Sequence, residues 1–212
     1  MIPLILKLKK EEHKRIALAQ DLVVEELYKT FNNAVLHGGT AIWRCYQGNR
    51  FSEDIDVYIQ KENEKINQFF ENLQKKGFVI LKKKVGENSL YSSLQLDRTL
   101  VRFEALFKKI KGSLKEYTTS EGTLITVYTL TPEELIKEKV DAYLKRKKIR
   151  DLYDIFFLLR YVKEKNEIAE RLRKLLKNFE NPMDEKELKI LIFEGLAPKI
   201  EEMLNYIKRN SV

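Results

Sequence analysis

The sequence predicts an α+β fold, a small mixed sheet followed by a C-terminal helical region. Three observations carry that reading. Apolar residues recur at helical spacing through Glu11 to Thr30. Between Ala34 and Leu130 the period shortens to two, in short runs separated by turn residues. From Thr131 onward the helical period returns. A run of strands followed by a run of helices is the pattern of an α+β protein. The change of period divides the chain into a core, residues 1–130, and a helical region, residues 131–212.

Taken in order, Ile16, Leu18, Ala19, Leu22, Val23 and Leu27 give the first helix its apolar stripe. Ala34 to His37 is a short apolar strand stopped by Gly38-Gly39, and Thr40 is placed to cap a short helix reaching about Tyr46. Asp54 to Gln60 alternates, with Ile55, Val57 and Ile59 on one side and Asp54, Asp56 and Tyr58 on the other. Lys61 to Lys76 reads as a helix ended by Gly77. Phe78 to Lys84, Ser89 to Leu96, Leu100 to Phe107 and Leu124 to Leu130 read as strands, with turn signals at Gly86-Glu87-Asn88, Asp97-Arg98 and Ser120 to Gly122. Thr131-Pro132-Glu133-Glu134 is a helix start, with Thr131 as N-cap, proline at the first helical position and Glu134 closing a capping box. The helices that follow are interrupted at Asn181-Pro182 and at Gly195 to Pro198.

The 212 residues are 43% hydrophobic, enough for a real core, and 34% charged, mostly lysine and glutamate. A net charge of +8 favours polyanionic partners such as nucleic acid or nucleoside triphosphates. Cys45 is the only cysteine, which excludes an internal disulfide or a cysteine-based zinc cluster, and it is expected as a small buried helix residue. The longest apolar run, Ile155 to Leu159, is far too short to span a bilayer, and the N-terminal apolar stretch precedes its lysines, the reverse of a signal peptide. The expected compartment is the cytoplasm, with no membrane partner.

Asp54 and Asp56 share a strand face, some ~7 Å apart. Two carboxylates that close repel each other unless a cation lies between them, and magnesium is the usual cation for hard oxygen ligands and phosphate substrates. A solvated strand face is the alternative for an isolated pair. Three neighbours favour the metal. Gly38-Gly39-Thr40 joins a strand to a helix, where backbone N–H groups can hold a phosphate. Arg50 and Ser52 precede the acids and can contact anionic groups. Glu104 is the one acid in the strand 101–107, on the face opposite Val101, Phe103 and Ala105. It would serve as third carboxylate of a two-metal site, or pair with Arg102 or a surface lysine.

In the capped helix, Lys139 shares a face with Ile136 and Tyr143, so it either snorkels to water or reaches a buried anion. Five cations in 145–150 precede Asp151 and Asp154, which are expected at the rim of a helix whose other side buries Leu152, Ile155, Phe156 and Leu159.

Four segments, GGTA, RFSEDIDV, EKVDAYLKR and KIRDLYDIFFLL, occur in that order over residues 36–159. Together they resemble the AbiEii/AbiGii toxin family of nucleotidyltransferases, within the polymerase-β-like superfamily. The resemblance implies a nucleotidyltransferase core completed by the helical region. It implies that Gly39 and Thr40 bind the triphosphate, that Asp54 and Asp56 hold Mg2+ or Mn2+, and that Lys139 contacts nucleotide phosphates. Lys148-Ile149-Arg150-Asp151 takes the place of the family's Arg/Lys-x-Lys-Asp motif, with arginine for lysine, and Asp151 would orient Lys139 or act as base. It further implies a nucleoside triphosphate as substrate, an RNA such as tRNA or a protein as acceptor, and a cognate antitoxin. The expected catalytic set is Asp54, Asp56, Glu104, Lys139 and Asp151, and the expected nucleotide-binding set is Gly38, Gly39, Thr40, Arg50, Ser52 and Lys139. A metal-dependent nuclease and a catalytically silent RNA-binding member of the fold are the rival readings.

Overall fold

A computed structural model describes residues 3–211. The chain divides into two compact units, residues up to Gln47 with Phe51–Thr129, and Gly48–Arg50 with the chain from Leu130 onward.

The first unit begins with a short helix α1 (Leu4–Lys7) and the long helix α2 (Glu11–Thr30). Strand β1 (Val35–His37) runs directly into α3 (Gly38–Cys45). Strand β2 (Asp54–Ile59), helix α4 (Asn63–Lys75) and strands β3 (Val79–Val85), β4 (Ser89–Leu96), β5 (Thr99–Phe107), β6 (Ser113–Thr118) and β7 (Leu124–Thr129) follow. The seven strands form one mixed sheet in the order β3-β4-β5-β2-β1-β7-β6. β2 pairs antiparallel with β1 and parallel with β5, and β1 pairs parallel with β7.

Period-two burial gives this sheet one packed face and one open face. Ile55, Val57, Leu90, Leu94, Val101, Phe103 and Ala105 are all buried. The packed face meets the apolar stripes of α2 and α4, with Phe69 and Phe103 ring centroids 4.9 Å apart. Truncating a buried phenylalanine such as Phe103 costs about 3–5 kcal/mol, so this contact fixes which side of β5 points inward. A second anchor lies deeper. Arg44 is fully buried, donating to the Ala17 and Thr118 carbonyls, with Asp21 3.3 Å away as its counter-charge. Asp21 also accepts hydrogen bonds from the Tyr117 hydroxyl and from the backbone and hydroxyl of Ser120. These bonds tie α2, α3, β6 and the turn before β7 together.

The second unit is helical: α5 (Pro132–Arg146), α6 (Ile149–Leu158), α7 (Asn166–Lys177), a 3-10 turn at Glu185–Glu187, α8 (Leu188–Leu191) and α9 (Ile200–Arg209). Thr131 caps α5 as the sequence predicts: its hydroxyl accepts from the Glu134 N–H, and the Glu134 carboxylate accepts from the Thr131 N–H. The break between α6 and α7 has no proline or glycine to announce it. It is held by Glu133, whose carboxylate accepts from the N–H groups of Lys163 and Glu164. Gly48–Arg50 belongs to this unit because Arg50 bridges to Ile192 and the Phe193 N–H donates to the Asn49 carbonyl.

Several expectations are corrected. Helix α3 starts at Gly38, with His37 as its N-cap and no side-chain cap bond, so Thr40 is not a cap. Leu18 is exposed, one position off the buried stripe of α2. The fourth helix spans Asn63–Lys75 and not Lys61 to Lys76. Cys45, the last residue of α3, is half-buried. Strand β6 and helix α1 are not anticipated by the sequence pattern, because the first four residues of β6 are exposed and α1 is a single turn. No helix of the described residues is long and apolar enough to cross a membrane.

Candidate active site

The polar edge of the first unit is built where β1 ends. Gly38 has φ +70°, and a Cβ there would lie 2.2 Å from Oδ2 of Asp56. Glycine is therefore required on two grounds, the left-handed backbone and the carboxylate pressed against it. The N-cap His37 makes no side-chain cap bond, and the N-terminus of α3, the end of a helix that favours anions, lies beside that carboxylate. Thr40 is fully buried, and its hydroxyl donates to the Asp54 carbonyl. Its work is to lock the glycine turn to the start of β2.

Strand register then brings the acids together. His37 stands opposite Asp56, and Asp56 opposite Glu104, so these three form one row across β1, β2 and β5 on the open face. The next row pairs Asp54 with Arg102, whose Nε donates to Asp54 Oδ1 at 2.5 Å. Arg102 thus answers Asp54 and not Glu104. Partial burial, and then the facing charges of Asp56 and Asp54, push the Glu104 carboxyl above the usual glutamate range. The His37 ring stacks on Tyr58 with centroids 4.1 Å apart. The sequence reading does not single out His37, although it immediately precedes Gly38-Gly39, and it offers Arg102 only as a partner for Glu104.

The other assigned residues lie in the second unit, apart from Ser52. Ser52 is buried in the first unit, where its carbonyl accepts from Gln20. Arg50 is 5% exposed and forms a two-pronged pair with Asp154, both bonds 2.8 Å, so its guanidinium is committed to a protein carboxylate and not presented to an anion. Lys139 is also buried, with its ammonium 2.8 Å from Asp154 and 3.5 Å from Asp151. Asp151 in turn accepts two bonds from Arg146. Asp151 and Asp154 are not at a helix rim; both are buried. Burial alone would raise the Asp154 carboxyl, but Arg50 and Lys139 outweigh it and hold the group below its usual range. Asp154 is thus the nearest partner of Lys139, a role the sequence reading gave to Asp151.

Among the described residues no group of three or more potential ligands stands close enough to hold a metal ion. Asp54 is turned to Arg102, while Asp56 and Glu104 face each other. The donor set is nonetheless one of hard oxygens, and the repulsion that adds to burial in raising Glu104 is what a divalent cation between the carboxylates would relieve. A magnesium or manganese ion held here would require Asp54 to be released from Arg102.

Residues 20–207 match the model of a family described as nucleotidyl transferase AbiEii toxin, type IV toxin–antitoxin system. No curated protein matches the sequence. Among solved structures, MenT4, a nucleotidyltransferase toxin from Mycobacterium tuberculosis, superposes with a TM-score of 0.66 at 16% identity, covering 94% of this chain and 82% of its own. JHP933 from Helicobacter pylori gives 0.64 at 19% identity, over 95% and 91% of the two chains. A nucleotidyltransferase from H. pylori, so described, gives 0.61 at 19% identity, over 95% and 94%. At these identities the likeness is one of fold.

Proposed function

The chain belongs to the AbiEii nucleotidyltransferase toxin family, and on that premise we propose that it moves a nucleoside monophosphate from a nucleoside triphosphate to an RNA acceptor, acting as the toxin of a toxin–antitoxin pair. The observation that carries the reading is the pairing of Asp56 with Glu104 beside the Gly38 turn. A helix N-terminus, which favours anions, and a pair of facing carboxylates, which favours a cation, meet at one point, and a nucleoside triphosphate with its cation suits both.

The N–H groups at the start of α3 receive triphosphate oxygens, and Thr40 keeps the turn in place from beneath. Asp54, Asp56 and Glu104 are the residues that would hold magnesium or manganese. The cation would neutralise phosphate charge and lower the barrier to attack at phosphorus. An acceptor hydroxyl oxygen forms a bond to the α-phosphorus, the bond from that phosphorus to the bridging oxygen breaks, and pyrophosphate leaves with the electron pair. Glu104, opposite Asp56 on the open face, is placed to take the hydroxyl proton as its carboxylate. In the second unit, Lys139 is the candidate phosphate contact that the family resemblance implies, with its ammonium held by Asp154 and Asp151. Membership of the family supports transfer over the nuclease reading, and the labelling assay below separates an active transferase from a silent RNA-binding member. A cognate antitoxin follows from the family description.

The test is incubation of the full chain with each radiolabelled triphosphate, magnesium, and total RNA or protein. Label should enter RNA, and Asp56→Asn should abolish transfer while the variant still unfolds in a single cooperative melt. Lys139→Ala should weaken triphosphate binding, and Lys139→Arg should restore only part of it, because a planar fork does not replace a compact ammonium. Transfer at the parent rate by Asp56→Asn would remove the assignment of the acids. Label appearing in protein alone would move the acceptor class.

A further inference from the structure

The open face of the sheet continues beyond the acids, and its composition changes sign. Strand β5 alternates strictly, so Arg102 and Glu104 share the open face with Leu100, which is 54% exposed. Following the register outward, Glu104 stands opposite Tyr91 of β4, and Tyr91 opposite Lys84 of β3. One step along, Arg102 stands opposite Ser93, and Ser93 opposite Lys82. The row that begins at Asp56 therefore ends at Lys84, and the row that begins at Asp54 ends at Lys82. Both lysines are exposed, and the Lys82 ammonium lies 5.2 Å from the centre of the Tyr91 ring. Lys83, of opposite parity, turns to the packed side, where it donates to Asn67 and lies over Phe70. Two of three consecutive lysines are thus delivered to the face that carries the acids.

Neighbouring strands are ~4.8 Å apart, so the three steps from β2 to β3 span ~14 Å, about the reach of two nucleotides of extended strand. Cations spaced for phosphates, with an aromatic ring between them and the carboxylates, are the elements by which proteins hold single-stranded nucleic acid. We propose that this face is the acceptor track. The single-stranded end of an RNA would lie across β3, β4 and β5, with phosphates on Lys82 and Lys84, a base against Tyr91, and the terminal hydroxyl delivered to Asp56 and Glu104. The inference rests on the nucleotidyl-transfer reading and adds to it where the acceptor lies. The competing explanation for lysines on an edge strand is protection against edge-to-edge aggregation, which requires no RNA.

The test is fluorescence anisotropy of the full chain with a fluorescein-labelled single-stranded RNA of about twelve nucleotides, titrated at several salt concentrations. Lys82→Ala/Lys84→Ala should lose about tenfold in affinity at low salt, and its slope of log affinity against log salt should flatten by ~1.4, two phosphates at ~0.7 each. Tyr91→Ala should lose about tenfold with little change of slope, because stacking releases no counterions. Lys186→Ala/Lys189→Ala, in the second unit, should match the parent in both quantities. The proposal is overturned if the β3 double variant binds with the parent's affinity and slope and merely aggregates more readily. It is also overturned if the second-unit variant loses as much as the β3 variant. The label-transfer assay separates the two levels of inference. Parent-rate transfer to RNA by Lys82→Ala/Lys84→Ala sinks the track and leaves nucleotidyl transfer standing, whereas no transfer by the parent to any acceptor sinks both.

Discussion

Replacing Asp154 by asparagine keeps the shape of the side chain and removes one charge from a place that cannot easily lose it. Asp154 is 1% exposed and answers both Arg50 and Lys139, which are 5% and 6% exposed. In the variant two buried cations remain near Asp151, itself already bonded to Arg146. Removing one partner of a buried ion pair costs about 3–5 kcal/mol, because the charge left behind keeps its desolvation cost without compensation. In a chain of this length 1 kcal/mol moves the melting temperature by about 2–4 °C, so Asp154→Asn should melt about 10 °C below the parent at neutral pH. The direction with pH follows from the depressed carboxyl. A group whose folded pKa lies below its unfolded value, ~3.9 for aspartate, contributes stability that is fully present above that value. The contribution is lost as pH falls through the folded pKa. The gap between parent and variant should therefore be constant from neutrality down to about pH 5 and close in stronger acid. Calorimetric melts of both proteins along that pH series measure it. A variant as stable as the parent at neutral pH would refute the reasoning, and so would a gap that stays the same into strong acid.

Two further substitutions probe the first unit. Gly38→Ala adds a Cβ at 2.2 Å from the Asp56 carboxylate on a backbone at φ +70°; transfer should fall more than about tenfold, with a stability cost of about 1–2 kcal/mol from the left-handed conformation, and parent-level transfer would disprove the close fit. Asp21→Ala removes the counter-charge of fully buried Arg44 and the acceptor of three other hydrogen bonds; urea denaturation should report a loss of about 3–5 kcal/mol, and a loss below 1 kcal/mol would show that the Ala17 and Thr118 carbonyls suffice for Arg44.

What the sequence reveals is what depends on neighbours close along the chain. Alternation in Asp54-Ile55-Asp56-Val57 fixes which side of β2 carries the acids, and the Thr131 capping box fixes the start of α5, because both are settled within a few residues. The role of Thr40 was misread for the same reason. A threonine after two glycines is a reasonable local cap, and only the fold brings the Asp54 carbonyl to its hydroxyl, 14 residues away. Arg50 shows the limit most clearly. It precedes the acids and looks free to hold phosphate, yet its partner Asp154 lies 104 positions later, and no pattern in the sequence links the two. Asp151 and Asp154 look like exposed helix charges because burial of an acid is decided by the cations the fold supplies. Strand β6 escapes notice because an edge strand needs no alternation when most of its residues face water.

The same separation of 104 positions has a consequence for the newborn chain. Synthesis proceeds at about 5–20 residues per second, so Arg50 leaves the ribosome about 5–20 s before the carboxylate it will clasp. Meanwhile every strand of the sheet has been made, and the tripeptide Gly48–Arg50 has to stay out of the first unit's interior although its neighbours on both sides fold there. A guanidinium is well suited to that interval, because its charge keeps the tripeptide in water and resists burial until Asp154 arrives. A leucine at position 50 could settle into the nascent core at once, and the late helices would then meet a loop already taken.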